Sequence, residues 1–258
     1  MSDSIQLYLG DCLEVMSHIP NESVDCVICD LPYGTTNCKW DIIIPFEDLW
    51  TEYHRIIKPN SPIILFGSQP FTSLMISSNI KEYREELIWV KNKSASGLMA
   101  NKRHLKYHEN IIVFCKDSNY TYNPIVWNVP EDFIIKRKVN EIFTETNNII
   151  GMEKKGRIRK IDDGTRSPIS ILPFQVPYSP KSKSKTKNGD YRVHPTQKPI
   201  ALLEYLVQTY SNQGDLILDN CMGSGTTGVA CKNLNRNFIG IEKDINYFKI
   251  AKERIYMA

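Results

Sequence analysis

At 258 residues the chain can bury one sizeable core, with room for an insertion or a small second lobe. Hydrophobic residues make up 41% and charged residues 24%, the balance of a soluble globular protein, and no apolar run is long enough to span a bilayer, which argues against a membrane partner. The formal charge of +3 excludes a strongly basic or acidic protein, and seven scattered cysteines suit a reducing cytoplasm better than a disulfide framework.

The start, MSDSIQLYLGD, lacks the basic stretch and apolar run of a secretion signal, so a cytoplasmic location is expected. Short apolar runs bounded by turn residues predict five strands in the first part of the chain: Ile5–Leu9, Val24–Cys29, Pro62–Phe66, Glu86–Val90 and Ile111–Cys115. Helical stretches lie between several of them, such as Phe46–Ile57, which stops at Lys58-Pro59-Asn60. Strands alternating with helices predict a largely parallel sheet covered on both faces. The short segment between Glu86–Val90 and Ile111–Cys115 allows that pair to run antiparallel.

The strand Val24–Cys29 stops on an acid, and Asp30-Leu31-Pro32-Tyr33-Gly34 follows. A carboxylate and a tyrosine at the tip of a core strand are costly unless they serve something. Cys26 and Cys29 form a C-x-x-C, but in a strand they point to opposite faces, which defeats a zinc knuckle or a redox pair. His104 and His108 have i, i+4 spacing without an apparent third ligand, and a polar surface is the better reading. Ser68 and Gln69, just past Pro62–Phe66, stand where parallel sheets bind ligands, and Lys39 and Trp40 border the turn after Tyr33.

After Lys116 the pattern breaks down. From Lys116 to Arg192 there are 15 Lys and Arg against 9 Asp and Glu, whereas the remainder of the chain leans acidic. A basic middle hints at a polyanion partner, although on charge alone a solvated loop is the better reading. The tail Ser179–Asp190, SPKSKSKTKNGD, is too polar and like-charged to fold alone and is expected to be mobile without a ligand. Order returns at HPTQKPIALLEYLVQTYSNQG, where Pro199 suits a first helical turn and Gly214 a helix end. Strands Leu216–Leu218 and Phe238–Ile241 follow, separated by a helix from about Thr226 to Leu234. The domains expected are therefore a first half, 1–116, an insertion, 117–190, and a second half, 191–258.

The second half reads strand, glycine loop, helix, strand, acid. Gly223, Gly225 and Gly228 satisfy G-x-G-x-x-G, and Glu242, 19 residues past Gly223, stands where a carboxylate takes ribose hydroxyls. Thr226 and Thr227 occupy the places of a phosphate loop's lysine and hydroxyl, which excludes that loop. Asp219, just ahead of the glycines, would repel a pyrophosphate but suits a positively charged amino group. That favours S-adenosylmethionine (SAM) over a dinucleotide.

Taken together, the motifs resemble the amino-methyltransferases that modify the exocyclic amine of a base in DNA, in the family's β-group order. Asp30-Leu31-Pro32-Tyr33 looks like the catalytic tetrapeptide, HPTQKP (His194–Pro199) like the segment at the methionine end of SAM, and Gly10-Asp11-Cys12 like the site of the SAM adenine amine. HENIIVFCK resembles the strand before the target-recognition insertion. The resemblance covers roughly 5–116 and 194–255. It implies a circularly permuted, Rossmann-like SAM-dependent methyltransferase fold with a mostly parallel seven-stranded sheet and a DNA-recognition insertion. For the cofactor site it implies Asp11, Cys12, Asp30, Thr196, Lys198, Asp219, Gly223, Ser224, Gly225, Thr226, Glu242 and Lys243.

The tetrapeptide departs from the family at Leu31, where proline is usual. That position works through its carbonyl, which leucine also has. Asp30 and the Leu31 carbonyl would each accept an N–H of the target amine, Pro32 would stiffen the turn, and Tyr33 would stack on a flipped base. Asp at the first position favours adenine N6, because cytosine-N4 enzymes often carry Ser there. Cytosine N4, RNA N6-adenine, a nicotinamide-dependent oxidoreductase and a non-catalytic DNA-binding module remain as alternatives. The implied partners are double-stranded DNA, a second copy in a homodimer and, for a restriction-modification role, a cognate restriction endonuclease. Basic residues at Lys136–Lys138 and Lys154–Lys160 are candidates for phosphate contacts, which position a duplex without reading it.

Overall fold

The structure is a computed structural model, which describes residues 5–35, 41–94, 97, 100–128, 164–177 and 197–258. Its main unit comprises Met1–Asn123 and Ser170–Ala258. The strands of its sheet are β1 (Ile5–Leu9), β2 (Cys26–Cys29), β3 (Ile63–Gly67), β4 (Tyr83–Val90), β5 (His108–Phe114), β8 (Ile171–Pro173), β9 (Leu216–Asp219) and β10 (Asn237–Glu242). They lie in the order β1-β10-β9-β2-β3-β5-β4-β8. The pairs from β1 across to β3 are parallel, β5 runs antiparallel to both β3 and β4, and β8 is parallel to β4.

The sheet is mixed and mostly parallel, as the expected Rossmann-like fold requires, with one strand more than the seven expected. The extra strand, β8, falls in the stretch expected as insertion. Its three residues are too few to show an alternating pattern, and what defines it is pairing with Ile88–Val90. In a second unit, Pro124–Ile169, the described residues include a two-stranded pairing of β6 (Trp127–Asn128) with β7 (Thr165–Arg166).

Alternation along each strand divides the core in two. On β2, Cys26 and Ile28 face the layer of α4 (Ile200–Tyr210), α5 (Thr226–Asn233) and α6 (Ile245–Met257), while Val27 and Cys29 face α1 (Cys12–Met16), α2 (Phe46–Ile56) and α3 (Phe71–Ser78). The two cysteines of the C-x-x-C thus lie on opposite faces, both buried. β2 is buried along its whole length because strands flank it and helices cover both faces. The helix after Pro199 ends at Tyr210 with extended Ser211 as its cap, ahead of the expected Gly214, whose φ of 85° serves the following turn instead. His104 and His108 are exposed, the latter in a strand rather than on a helix.

The glycine motif splits by role. A Cβ on Gly228 would lie 2.5 Å from Ile255 and 2.7 Å from Phe238, and one on Gly225 2.9 Å from Ala251, so these two let α5 approach α6 and β10. A Cβ on Gly223 would meet no protein atom. Gly228→Ala is therefore expected to destabilise the fold by about 1–3 kcal/mol through overpacking. Gly223→Ala should cost roughly 1–2 kcal/mol or less, from its positive φ alone. Urea denaturation of the two variants compares them directly.

Candidate active site

The carboxyl ends of β2 and β9 lie side by side, because Cys26 and Val27 pair with Ile217 and Leu218. The strand order diverges here: from β2 the chain proceeds to β3 on one side, and from β9 to β10 on the other, with all four strands parallel. Crevices at such switch points are where open α/β sheets hold ligands. A cavity of about 760 Å³ opens at this point, within the range of small-molecule sites.

Its wall carries residues from both halves of the chain. Asp11, Cys12, Asp30, Leu31, Pro32 and Tyr33 line it from the first half. Lys198, Asp219, Gly223, Ser224, Thr226, Glu242 and Lys243 line it from the second. Gly225 does not; it caps α5 in the left-handed conformation against Ala251. Thr196, Lys39, Trp40, the tail Ser179–Asp190 and the phosphate-contact candidates Lys136–Lys138 and Lys154–Lys160 lie outside the described residues. Of the two pocket candidates beyond β3, Ser68 lines the cavity and accepts from Lys106 Nζ at 2.6 Å. Gln69 is exposed and accepts from Ser73 instead.

At the tip of β2, Asp30 Oδ1 accepts from the Tyr33 hydroxyl at 2.6 Å, and Oδ2 accepts from Lys198 Nζ. Burial pushes the Asp30 carboxyl up; the Lys198 charge opposes that rise and nearby Glu109 adds to it. The Tyr33 ring stacks on Phe71 with centroids 5.1 Å apart. Leu31, where the resemblance expects proline, is 3% exposed and packs into the core, which anchors the turn by burial instead of ring stiffness. Gly34, at φ 66°, follows, and Asp41 clamps the turn by accepting from Gly34 N at 2.8 Å and Thr35 N at 2.9 Å.

On the β9 side, Asp219 Oδ2 accepts from Thr227 Oγ1 at 2.6 Å and Oδ1 from Cys221 N at 3.2 Å. Burial raises its carboxyl to about 7, with the Thr227 bond pulling the other way. Glu242 Oε2 accepts from Gly223 N at 2.9 Å and Oε1 from Asp244 N at 2.7 Å, which fixes the carboxylate and leaves lone pairs on each oxygen. Asp11 caps α1 through Leu13 N and accepts from Lys243 Nζ at 2.9 Å, and that lysine lowers the Asp11 carboxyl. The Ser224 and Thr226 hydroxyls face the Arg254 guanidinium at 2.9 and 3.2 Å.

Sequence reasoning missed several wall residues. Glu109 and Asn220 are the foremost: Asn220 Oδ1 accepts from the buried Tyr53 hydroxyl at 2.6 Å, tying the glycine loop to α2. Glu109 stood inside the quoted HENIIVFCK, where an acid next to a core strand was the available signal.

A model of the DNA methylase family, the N6/N4 amino-methyltransferases, matches residues 24–253. The chain belongs to that family. It is 27% identical to the type II methyltransferase M.HpaI of Haemophilus parainfluenzae over 264 residues, covering 97% of this chain and 74% of that one. It is 29% identical to the DNA adenine methyltransferase YhdJ of Escherichia coli K12, covering 96% and 82%. Among solved structures, the M1.HpyAVI–SAM complex aligns at a TM-score of 0.61 with 27% identity over 97% of this chain and 98% of that one. The PvuII cytosine-N4-specific DNA methyltransferase aligns at 0.66 over 97% and 88%, with 17% identity, a likeness of fold.

This methyltransferase is thus a SAM-dependent DNA amino-methyltransferase, and its cavity fits the cofactor. The space a Cβ of Gly223 would fill is open, and Asp219 and Glu242 line the same cavity, with carboxylate oxygens that an ammonium and two hydroxyls can bond. Lys198, only 8% exposed, neutralises Asp30 in this wall. Lys198→Met is expected to destabilise the protein by about 2–4 kcal/mol at alkaline pH, because it strands buried carboxylates. Without that cation the folded pKa values of Asp30 and Glu109 rise, so the loss shrinks as pH falls and they protonate. Urea denaturation at acidic and alkaline pH measures both.

Proposed function

We propose that this methyltransferase acts on the exocyclic N6 of adenine in duplex DNA, on a base flipped from the helix. The observation that carries the reading is Asp30 at the tip of β2, lining the same cavity as Asp219 and Glu242. Bound SAM supplies an electrophilic methyl group on a sulfonium. Asp30 and the Leu31 carbonyl each accept one N–H of the target amine, which draws the nitrogen toward a tetrahedral shape with its lone pair free. The N–C bond forms in line as the S–C bond breaks, and one amine proton leaves. Asp30, whose carboxyl burial has raised, takes that proton before it passes to water. Tyr33, backed by Phe71, stacks on the base.

On the cofactor side, Glu242 is assigned to the ribose hydroxyls, Asp219 to the α-ammonium and Asp11 to the adenine amine. Lys198 and Thr196 belong to the segment at the methionine end. Cys12, Lys243, Gly223, Ser224 and Thr226 complete the wall, and Gly225 supports it through α5.

Adenine is favoured by Asp30 itself, since aspartate at that position resembles adenine enzymes, and the E. coli relative is named a DNA adenine methyltransferase. Cytosine N4 is the second reading, supported by the fold shared with the PvuII enzyme. The basic stretch between Lys116 and Arg192 supports an insertion that holds duplex DNA. A restriction-modification role, with a cognate endonuclease, is supported by the type II relative. A homodimer and a cytoplasmic location complete the proposal; among the described residues no helix is long and apolar enough to cross a membrane.

Methylation of unmodified bacterial DNA, followed by nucleoside mass spectrometry, is expected to yield N6-methyladenine, and N4-methylcytosine would overturn the choice of base. Asp30→Ala should lower transfer at least about a hundredfold while SAM binding stays within severalfold. Asp219, with its carboxyl at about 7, binds a cation only when ionised. SAM affinity should therefore weaken roughly five- to tenfold between about pH 7.5 and 6, a dependence that Asp219→Asn removes together with affinity. Calorimetric titration of SAM across that range reads it.

A further inference from the structure

Asp30 does not stand alone with Lys198. Glu109, on β5, lines the cavity beside them, and its Oε1 accepts from Lys91 Nζ. Its Oε2 is buried without a hydrogen bond among the described residues, and it lies 3.3 Å from Lys198 Nζ. The lysine thus sits between two carboxylates while hydrogen-bonding to Asp30. Both Asp30 oxygens accept hydrogen bonds, one from Tyr33 and one from Lys198, whereas Glu109 Oε2 is ion-paired with Lys198 and accepts no hydrogen bond among the described residues. The Phe66 ring lies 4.9 Å from Lys198 Nζ and gives the ammonium a face to move across.

We propose that Glu109 is a positioning residue that gives Lys198 a second seat, so that Lys198 releases Asp30 to the target amine. The inference rests on the reading of Asp30 as the amine's acceptor. As the methyl group arrives, the target nitrogen becomes cationic, and an ammonium held on Asp30 would oppose that charge. Moved onto Glu109, the same ammonium keeps every buried charge paired and leaves Asp30 to the nitrogen. Lys91, 4.7 Å from the Trp89 ring centroid, keeps Glu109 ionised and in place from behind. Burial raises the Glu109 carboxyl, but Lys198 and Lys91 together outweigh it and hold it below the usual range.

The charged and titratable groups that face this network come from several elements. Tyr33, Lys198, Glu109, Asp219 and the Cys29 thiol face Asp30, and Lys91, Lys198 and Lys106 face Glu109. Removing the Glu109 charge takes a like charge from beside Asp30, so the Asp30 carboxyl falls. Removing the Lys91 charge leaves Glu109 to draw Lys198 from Asp30, so the Asp30 carboxyl rises.

The test is steady-state methylation of duplex DNA by wild-type protein, Glu109→Gln, Lys91→Met and Asp30→Ala between about pH 5 and 9. Glu109→Gln is expected to lower the plateau kcat about tenfold or more, with KM for SAM within about threefold, and to move the acid limb to lower pH. Lys91→Met should move that limb to higher pH. A Glu109→Gln plateau within about twofold of wild type overturns the proposal, because a bystander charge shifts the limb without lowering kcat. An unmoved limb in Glu109→Gln, or limbs moving the same way in both variants, overturns it too. Should Glu109→Gln fail to fold, a Lys91→Met limb that is unmoved or lowered decides against it. Activity that survives in Asp30→Ala overturns the reading of Asp30 instead, which keeps the two failures apart.

Discussion

The hydrogen-bonded pairing of β2 with β9 is the constraint on which the site depends. β2 ends in Asp30 and β9 in Asp219, so the two carboxylates reach one crevice only if these strands are neighbours in register. The register is pinned at the far end by Asp25, whose backbone N–H donates to the Leu216 carbonyl at 2.8 Å. Its side chain accepts from Leu216 N at 2.9 Å and from Lys58 Nζ at 2.6 Å. A slip of one residue would turn Cys26 and Ile28 toward the wrong helices and unseat both acids together.

Around that crevice the protein concentrates charge where water is scarce. Asp30 and Glu109 oppose Lys91 and Lys198, with Lys198 shared between the two carboxylates and Lys91 held by Glu109. Low dielectric makes each pairing strong and each orphan expensive. A network of this kind holds a buried carboxylate at the end of a core strand without letting it unfold the strand.

Much of this was legible in the residues, and the reason differs by element. β1 was readable to the residue because Ile5–Leu9 is bounded by turn signals, and β2, β3, β9 and β10 because buried parallel strands are continuous apolar runs. α1 and α3 escaped notice: the first has only five residues, and the second is apolar without a strong polar face. The wall residues Asp30, Asp219 and Glu242 were readable because an acid at a strand end breaks the pattern around it. Asn220 and Glu109 were not, since their roles arise from partners more than 15 residues away in the chain, Tyr53 and Lys91. The glycine spacing was legible as a motif but not as a division of labour, because only packing reveals that Gly228 serves Phe238 and Ile255 while Gly223 faces open space.

The neighbours of β2 have a consequence for how the chain is made. β3 follows β2 after one helix, but β9 lies about 190 residues beyond it, after the entire basic stretch. At roughly 5–20 residues per second, a ribosome takes on the order of ten to forty seconds between the two. During that time β2 has a partner on one side only, and its Cys26 and Ile28 face awaits α4 and α5. Closing so long a loop is slow and is rewarded only at the end. The first half of the chain is thus a dependent of the second, and the sheet is finished last at its middle, where the chemistry will be.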